Sequence, residues 1–427
     1  MSGREPSSMV RAWRALSRAV RRPVVIVTDV LALGTGAALA AALPQQPDAL
    51  EIDRFAREFP ALSRVTGALG LHEIVTSGWF LAIALACVVS LLAVQSEQWP
   101  RLARSWSDRL APASFARAPF RRSGPVSRAR QQPLAARFSS AGRIGLLGSP
   151  VFHLGLLLLV LAGLVRMLAF REVVVRALEG ETIPAQAGAF EAERGGWLSR
   201  PFALPAQVQV RELREERYQS GALRQVAVAL LTGERPGSGP EVREAAINAP
   251  LDVGDVRIYV SNAHGLAALL ELGGAGQPVP LVAFLEERGG EWRGGLRSGQ
   301  ALELRFRTAV APRPESVEVR ALSDGVLLGI GELSPGSELA LGAGRTLRLH
   351  GLRYWVQLRG SRDPSKPLFF GAVAVVVAGV VLMFSVVRVD TGVFVEGDQL
   401  VVALRPQRFA PLYAERFERL CKEWWPS

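Results

Sequence analysis

Two hydrophobic patterns divide the chain. In the first, apolar residues run without a break through four blocks, 24–44, 74–94, 144–166 and 368–387. The first block carries one charge, Asp29. The second and fourth carry none, and the third holds His153 and closes on Arg166. About 20 helical residues cross a bilayer core of ~30 Å, and backbone inside lipid must satisfy its own hydrogen bonds. Each block therefore predicts a transmembrane helix. A basic leader with Arg11, Arg14, Arg18, Arg21 and Arg22 precedes the first block, and small residues at Ala40–Ala42 leave a cleaved signal peptide as its other reading. In the second pattern, polar and apolar residues alternate. It recurs at Gln207–Val210, Arg257–Val260, Leu302–Phe306, Val317–Arg320 and Leu347–Leu349, with a further run at Tyr354–Leu358. Gly- and Pro-rich segments at 233–240, 273–280 and 311–314 separate these runs. No helical period of 12 or more residues stands out in 172–366. The expected fold is integral to the membrane: four transmembrane α-helices plus a large β-rich, sandwich-like extracytoplasmic domain.

Charge orients the helices. The 427 residues hold 50 Lys+Arg and 39 Asp+Glu, and lysine occurs only at 366 and 422. Segment 1–23 has 6 Arg and 1 acid, and segment 95–143 has 10 Arg and 2 acids. Segment 45–73 has 3 Arg and 5 acids, while 167–367 is balanced at 24 of each and 388–427 at 6 of each. Arg-rich loops stay in the cytoplasm. The predicted order is a cytoplasmic N-terminus (1–23), span one (24–44), a periplasmic loop (45–73), span two (74–94) and a cytoplasmic Arg-rich loop (95–143). Span three (144–166), a periplasmic β-rich domain (167–367), span four (368–387) and a cytoplasmic tail (388–427) follow. The expected location is the bacterial cytoplasmic membrane, crossed several times with both termini on the cytoplasmic side. The net charge of +11 is then a topology signal, and no nucleic-acid partner is expected. The 95–143 loop, poor in aliphatics, is expected to be partly disordered and to meet anionic membrane lipid.

Chemistry narrows the function further. There are two cysteines, Cys87 inside span two and Cys421 in the tail, and the outer domain has none. No CxxCH, CxxC, Walker A loop, GxSxG or HExxH occurs, which excludes a c-type cytochrome and thiol exchange in the outer domain. His153 is the sharpest candidate, because ionisable residues inside apolar spans are rare and a neutral imidazole ligates haem iron. A hydrogen bond across a helix interface is its other reading. Asp29 is expected to snorkel or to pair with Arg21 or Arg22. His72 is expected to be interfacial, and His264 and His350 to be ordinary surface or turn residues. Trp79 with Phe80, and Trp424 with Trp425, suit interfacial contacts.

Several segments stand in an order that resembles the ResB-like family of cytochrome c biogenesis, the System II (Ccs) pathway. Leu43-Pro44-Gln45-Gln46-Pro47 follows span one. Leu69-Gly70-Leu71-His72-Glu73 leads into Thr76-Ser77-Gly78-Trp79-Phe80, Phe152-His153-Leu154-Gly155 lies in span three, and Leu178-Glu179-Gly180-Glu181-Thr182 opens the outer domain. Arg362-Asp363-Pro364 precedes span four. The resemblance covers roughly residues 22–405. It implies a subunit that handles haem b with a ResC/CcsA-type membrane partner, for attachment to the CxxCH of an apocytochrome c. His153 would be an axial ligand, and thioredoxin-like proteins would reduce the apocytochrome thiols. No catalytic residue is assigned, and the subunit is expected to be non-catalytic alone. The partner's Trp-rich motif is not found here. The chain departs from the family at Asp29, at the Arg-rich loop, and at Val94-Gln95-Ser96-Glu97, where a cysteine is frequent. The rival reading is a membrane sensor or scaffold whose outer β-domain binds a ligand or protein.

Overall fold

The computed structural model describes residues 18–20, 22–46, 49–129, 136–184, 190–220, 223–233, 240–274, 277–298, 302–310, 313–342 and 344–425. Most of the basic leader, Pro47 and much of the predicted turns at 233–240, 273–280 and 311–314 lie outside these residues. Helices α1 (Pro23–Ala42), α2 (Ala49–Glu58), α3 (Pro60–Ala68), α4 (Gly78–Ser107), α5 (Gly148–Ala169), α6 (Lys366–Ser385) and α7 (Ala414–Trp424) alternate with strands. β1 (Phe120–Pro125) and β2 (Arg137–Ala141) fall between α4 and α5. Between α5 and α6 come β3 (Arg171–Leu178), β4 (Ala192–Gly195), β5 (Val208–Arg217), β6 (Leu223–Thr232), β7 (Glu241–Ala246), β8 (Leu251–Val253) and β9 (Val256–Gly273). They are followed by β10 (Val279–Arg288), β11 (Glu291–Ser298), β12 (Leu302–Ala309), β13 (Val317–Ser323), β14 (Val326–Leu333), β15 (Glu338–Gly342) and β16 (Arg345–Arg362). β17 (Val389–Glu396) and β18 (Gln399–Pro406) close the set.

The chain divides into two compact units. A helical unit holds Met1–Leu43, Thr66–Met167 and Pro364–Ser427, and a β unit holds Pro44–Val65 and Leu168–Asp363. Four helices of the first are long and apolar enough to cross a membrane: α1, α4, α5 with its leading turn, and α6. Their ends differ from the hydropathy blocks. Ile74–Thr76 is a 3-10 turn, and Ser77 caps α4 by accepting a hydrogen bond from Phe80 N at 3.3 Å. α4 then continues to Ser107, well past the block's end at residue 94. The helix does not end where hydropathy falls, because its charged last turns need only solvent on their polar face. α5 and α6 meet on small residues. A Cβ on Gly155 would sit 2.6 Å from Val376 N, and one on Gly148 would sit 2.6 Å from Met383 Cα, so only glycine permits this approach.

The described residues of the Arg-rich loop are more ordered than its composition suggests. Its described residues extend α4 and form β1 and β2, which pair with the tail in an antiparallel sheet of order β1-β18-β17-β2. Asp390 anchors this sheet. It accepts hydrogen bonds from Arg388 Nε at 2.8 Å, Arg405 Nη2 at 2.8 Å and Ser140 Oγ at 2.7 Å. Arg388 also reaches Ser105 O at the end of α4, at 2.9 Å. Burial opposes the charge on Asp390, but the bonds from Arg405, Ser140 and Arg388 outweigh it and hold the carboxyl below its ordinary range. Trp424 and Trp425 are half-buried. They pack with Phe417 and Cys421 of α7 against the sheet.

The β unit is antiparallel, as the alternation predicts, but a sandwich over only half its length. Nine strands run in the order β14-β13-β12-β11-β10-β9-β16-β3-β4, with β8 on β9 and β15 on β16, while β5-β6-β7 form a separate sheet. The two 18-residue strands β9 and β16 pass through both halves. In one half the three-stranded sheet covers them around Val208, Val228, Leu230, Ile258 and Leu358. In the other a single sheet curls over its own core, with Trp292, Leu304, Phe306, Leu285 and Leu347 inside. Two register shifts in β16, at Leu349/Gly351 and Val356/Leu358, let one strand serve both curvatures. At the junction Gly265 leaves room for Trp355, whose indole N–H donates to Leu285 O at 3.2 Å.

Candidate cofactor cavity

Within the helical unit, α1, α4 and α5 line a half-open, mostly apolar cavity of about 430 Å³. That falls in the size range of small-molecule and cofactor sites, ~300–1,000 Å³. α1 contributes Asp29 and Leu33, α4 contributes Cys87 and Ser90, and α5 contributes His153 and Leu156. These positions repeat at three to four residues along each helix, so each set falls on one face.

His153 is held at one ring nitrogen and open at the other. Nδ1 lies 2.8 Å from Ser149 O, one turn earlier. A carbonyl can only accept, so Nδ1 carries the hydrogen and Nε2 keeps its lone pair. Among the described residues no hydrogen bond reaches Nε2. Gln98 sits beside this anchor, 3.3 Å from both His153 Nδ1 and Ser149 Oγ. The neighbouring Gln95 donates to Pro150 O at 3.2 Å and ties α4 to the first turn of α5. Gln95 Oε1 and Gln98 Oε1 are buried without a partner among the described residues, so polar capacity remains close to the histidine.

Asp29 does not pair with Arg22, and Arg21 lies outside the described residues. It instead accepts a hydrogen bond from Ser90 Oγ at 2.8 Å, and Cys87 Sγ lies 3.6 Å from the Asp29 carbonyl. The polar wall of α1 and α4 is thus self-satisfied, whereas His153 presents an unused donor atom. Among the described residues no group of three or more His, Cys, Asp or Glu could hold a bare metal ion. A single imidazole in an apolar cavity fits a metal already held by a macrocycle, which is the donor set a haem requires.

The other histidines separate clearly. His72 is buried and lies 2.9 Å from Thr66 Oγ1 through Nε2. His350 meets Glu271 at 3.3 Å on the surface. His264 is not a surface residue. Its side chain is 7% exposed, Nδ1 lies 2.9 Å from Asn262 O, and Nε2 lies 3.2 Å from Glu215. Ser90 and Gln98 do not stand out in the sequence, and Gln95 does so only within Val94-Gln95-Ser96-Glu97; a polar residue within reach of an apolar helix face is the signal that points to them.

The model of the ResB-like family matches residues 27–281, more than half of the chain. The chain belongs to the ResB-like family. It is also 31% identical over 156 residues to the cytochrome c biogenesis protein CcsB of Synechococcus sp. (strain JA-2-3B'a(2-13)). That alignment covers 32% of this chain and about a third, 33%, of the relative's length. The family match begins in α1 and takes in α4 and α5, so all three walls of the cavity lie within it.

Proposed function

We propose that the chain works in cytochrome c biogenesis as the ResB-type subunit of a membrane cytochrome c synthase. Its four apolar helices span the bacterial cytoplasmic membrane, with both termini and the four-stranded sheet inside and the β unit in the periplasm. A ResC/CcsA-type partner completes the complex, and apocytochrome c is its protein substrate. The observation that carries this reading is His153: an imidazole in an apolar cavity, anchored through Nδ1 and open at Nε2. Haem b, when bound, supplies the iron centre and the vinyl groups that become thioethers to CxxCH. This chain's residues bind and orient it. His153 Nε2 would hold the iron, Ser149 O fixes the imidazole ring through Nδ1–H, and the apolar faces of α1, α4 and α5 would pack against the macrocycle. The β unit, without cysteine, offers a docking surface to apocytochrome or partner and leaves thiol reduction to separate thioredoxin-like proteins.

The test is spectroscopic. The chain co-expressed with a ResC-type partner is expected to purify with a b-type spectrum that His153→Ala removes and added imidazole restores. Unchanged haem content and spectrum in His153→Ala would overturn the ligand role. A deletion strain that still matures all its c-type cytochromes would overturn the biogenesis role.

A further inference from the structure

The β unit carries two large, strongly exposed apolar side chains next to each other, Trp197 at 77% and Leu198 at 72% exposure. They occupy the tip of a tight turn. Ser199 N donates to Gly196 O at 3.0 Å and Ser199 Oγ donates to the same oxygen at 2.7 Å, so the turn is rigidly closed. On its far side Phe202 is buried and stacks edge-on against Phe190 at 5.3 Å, which fixes the segment to the core. The turn is also pinned to the end of α5. Leu198 N donates to Leu168 O at 2.8 Å and Gly196 N donates to Phe170 O at 3.0 Å. Arg194 lies over the Phe170 ring at 5.6 Å, and Arg171 pairs with Glu193. Leu168 and Phe170, on either side of the helix end at Ala169, and the Trp197–Leu198 tip are therefore held together within the β unit.

We infer that Trp197 and Leu198 dip into the outer lipid interface beside span three and anchor the β unit to the bilayer. The inference rests on the reading that α5 spans the membrane. A helix end at Ala169 marks where that span leaves the hydrocarbon, and backbone bonds to the residues on either side of Ala169 hold the tip there. Tryptophan prefers this depth, because its ring is apolar and its indole N–H finds headgroup oxygen. Exposed Arg200, three residues on, supplies the cation that meets lipid phosphate. A surface turn facing water has no reason to present Trp-Leu at its two most exposed positions.

The experiment uses the full chain in vesicles of phosphatidylethanolamine and phosphatidylglycerol. Nitroxide labels are placed singly at Trp197→Cys, Gly163→Cys and Tyr218→Cys, with the unsubstituted chain as background, since Cys87 and Cys421 are buried. Gly163 has open space around it within α5 and reports the span, and exposed Tyr218 reports water. The expected result is a ratio of oxygen to nickel-chelate accessibility several-fold higher at 197 than at 218. Quenching of native tryptophan emission by lipid brominated near the headgroup should also fall in Trp197→Phe. If 163 reads as lipid-exposed while 197 matches 218 and Trp197→Phe leaves quenching unchanged, the anchor is overturned and the span stands. If 163 reads as aqueous, the spanning reading fails and the anchor with it. Protection at 197 only after a ResC-type partner is added assigns the turn to that protein and overturns the lipid assignment.

Discussion

His153 and His264 are anchored in the same way and do opposite things. Each places Nδ1 against a backbone carbonyl close in sequence, Ser149 O for one and Asn262 O for the other. The difference lies at Nε2. In the helical unit it opens on an apolar cavity, whereas in the β unit it meets the Glu215 carboxylate at 3.2 Å. Nε2 of His264 thus faces a carboxylate across two strands and not a cavity. Glu215 is in turn held by Arg217, which bridges at 2.8 Å to Glu215 and at 2.7 Å to Glu287. One histidine keeps a ring nitrogen open to a cavity, and the other links strands β5 and β9. What separates them is the fate of the second nitrogen, which burial alone does not reveal.

The comparison breaks most visibly at the cavity. His153→Ala is expected to lower haem retention by at least ~100-fold, beyond the loss usual for an outer partner of a ligand. The haem-to-protein ratio of the purified complex measures it. His264→Leu should leave that ratio unchanged and destabilise the β unit by about 1–3 kcal/mol, because buried Glu215 loses a partner. A lower thermal midpoint of the detergent-solubilised chain, with full haem, is the expected pair of readings. A loss of haem in His264→Leu would erase the distinction drawn here. Gln98→Leu should weaken haem retention about tenfold at most, and should shift the absorption spectrum without changing the fold. The smallest effect is in pH. Burial raises the Glu215 carboxyl, but the bonds from His264 and Arg217 win and its value lies below the ordinary 4.5. Its contribution to stability is complete above that ordinary value and is lost as pH falls through the lowered one. Glu215→Gln should therefore differ from the parent chain at neutral pH and converge with it in acid, followed by tryptophan emission.

Much of this was legible in the sequence, and for physical reasons. Apolar runs of bilayer length and strict alternation are strong signals, so the four long helices and the antiparallel β unit follow from them. His153 stood out because an imidazole is costly in an apolar helix. Gln98 did not, because the hydropathy of span two falls away after Val94 while the helix runs on to Ser107. His264 read as a turn residue because Asn262-Ala263-His264-Gly265 resembles one, yet it lies inside the 18-residue strand β9. The length of that strand is set by two cores that share it, a tertiary fact with no local signature. The sheet of β1, β2, β17 and β18 was hidden for the same reason. Arg121 and Arg122 on the edge strand look like loop, and the apolar run Leu400–Leu404 that recruits them lies in the tail.

That sheet also imposes a timetable. Ser140 waits for Asp390, 250 residues further along the chain. At the usual synthesis rate of ~5–20 residues per second, the wait is roughly 12 to 50 seconds. Throughout it, β1 and β2 lack the strands they pair with, and the intervening β unit is made before they can close. Arginine on those edges discourages pairing with other nascent chains. The sheet thus closes only after α6 has been made, and acts as a fastener between segments that lie 250 residues apart.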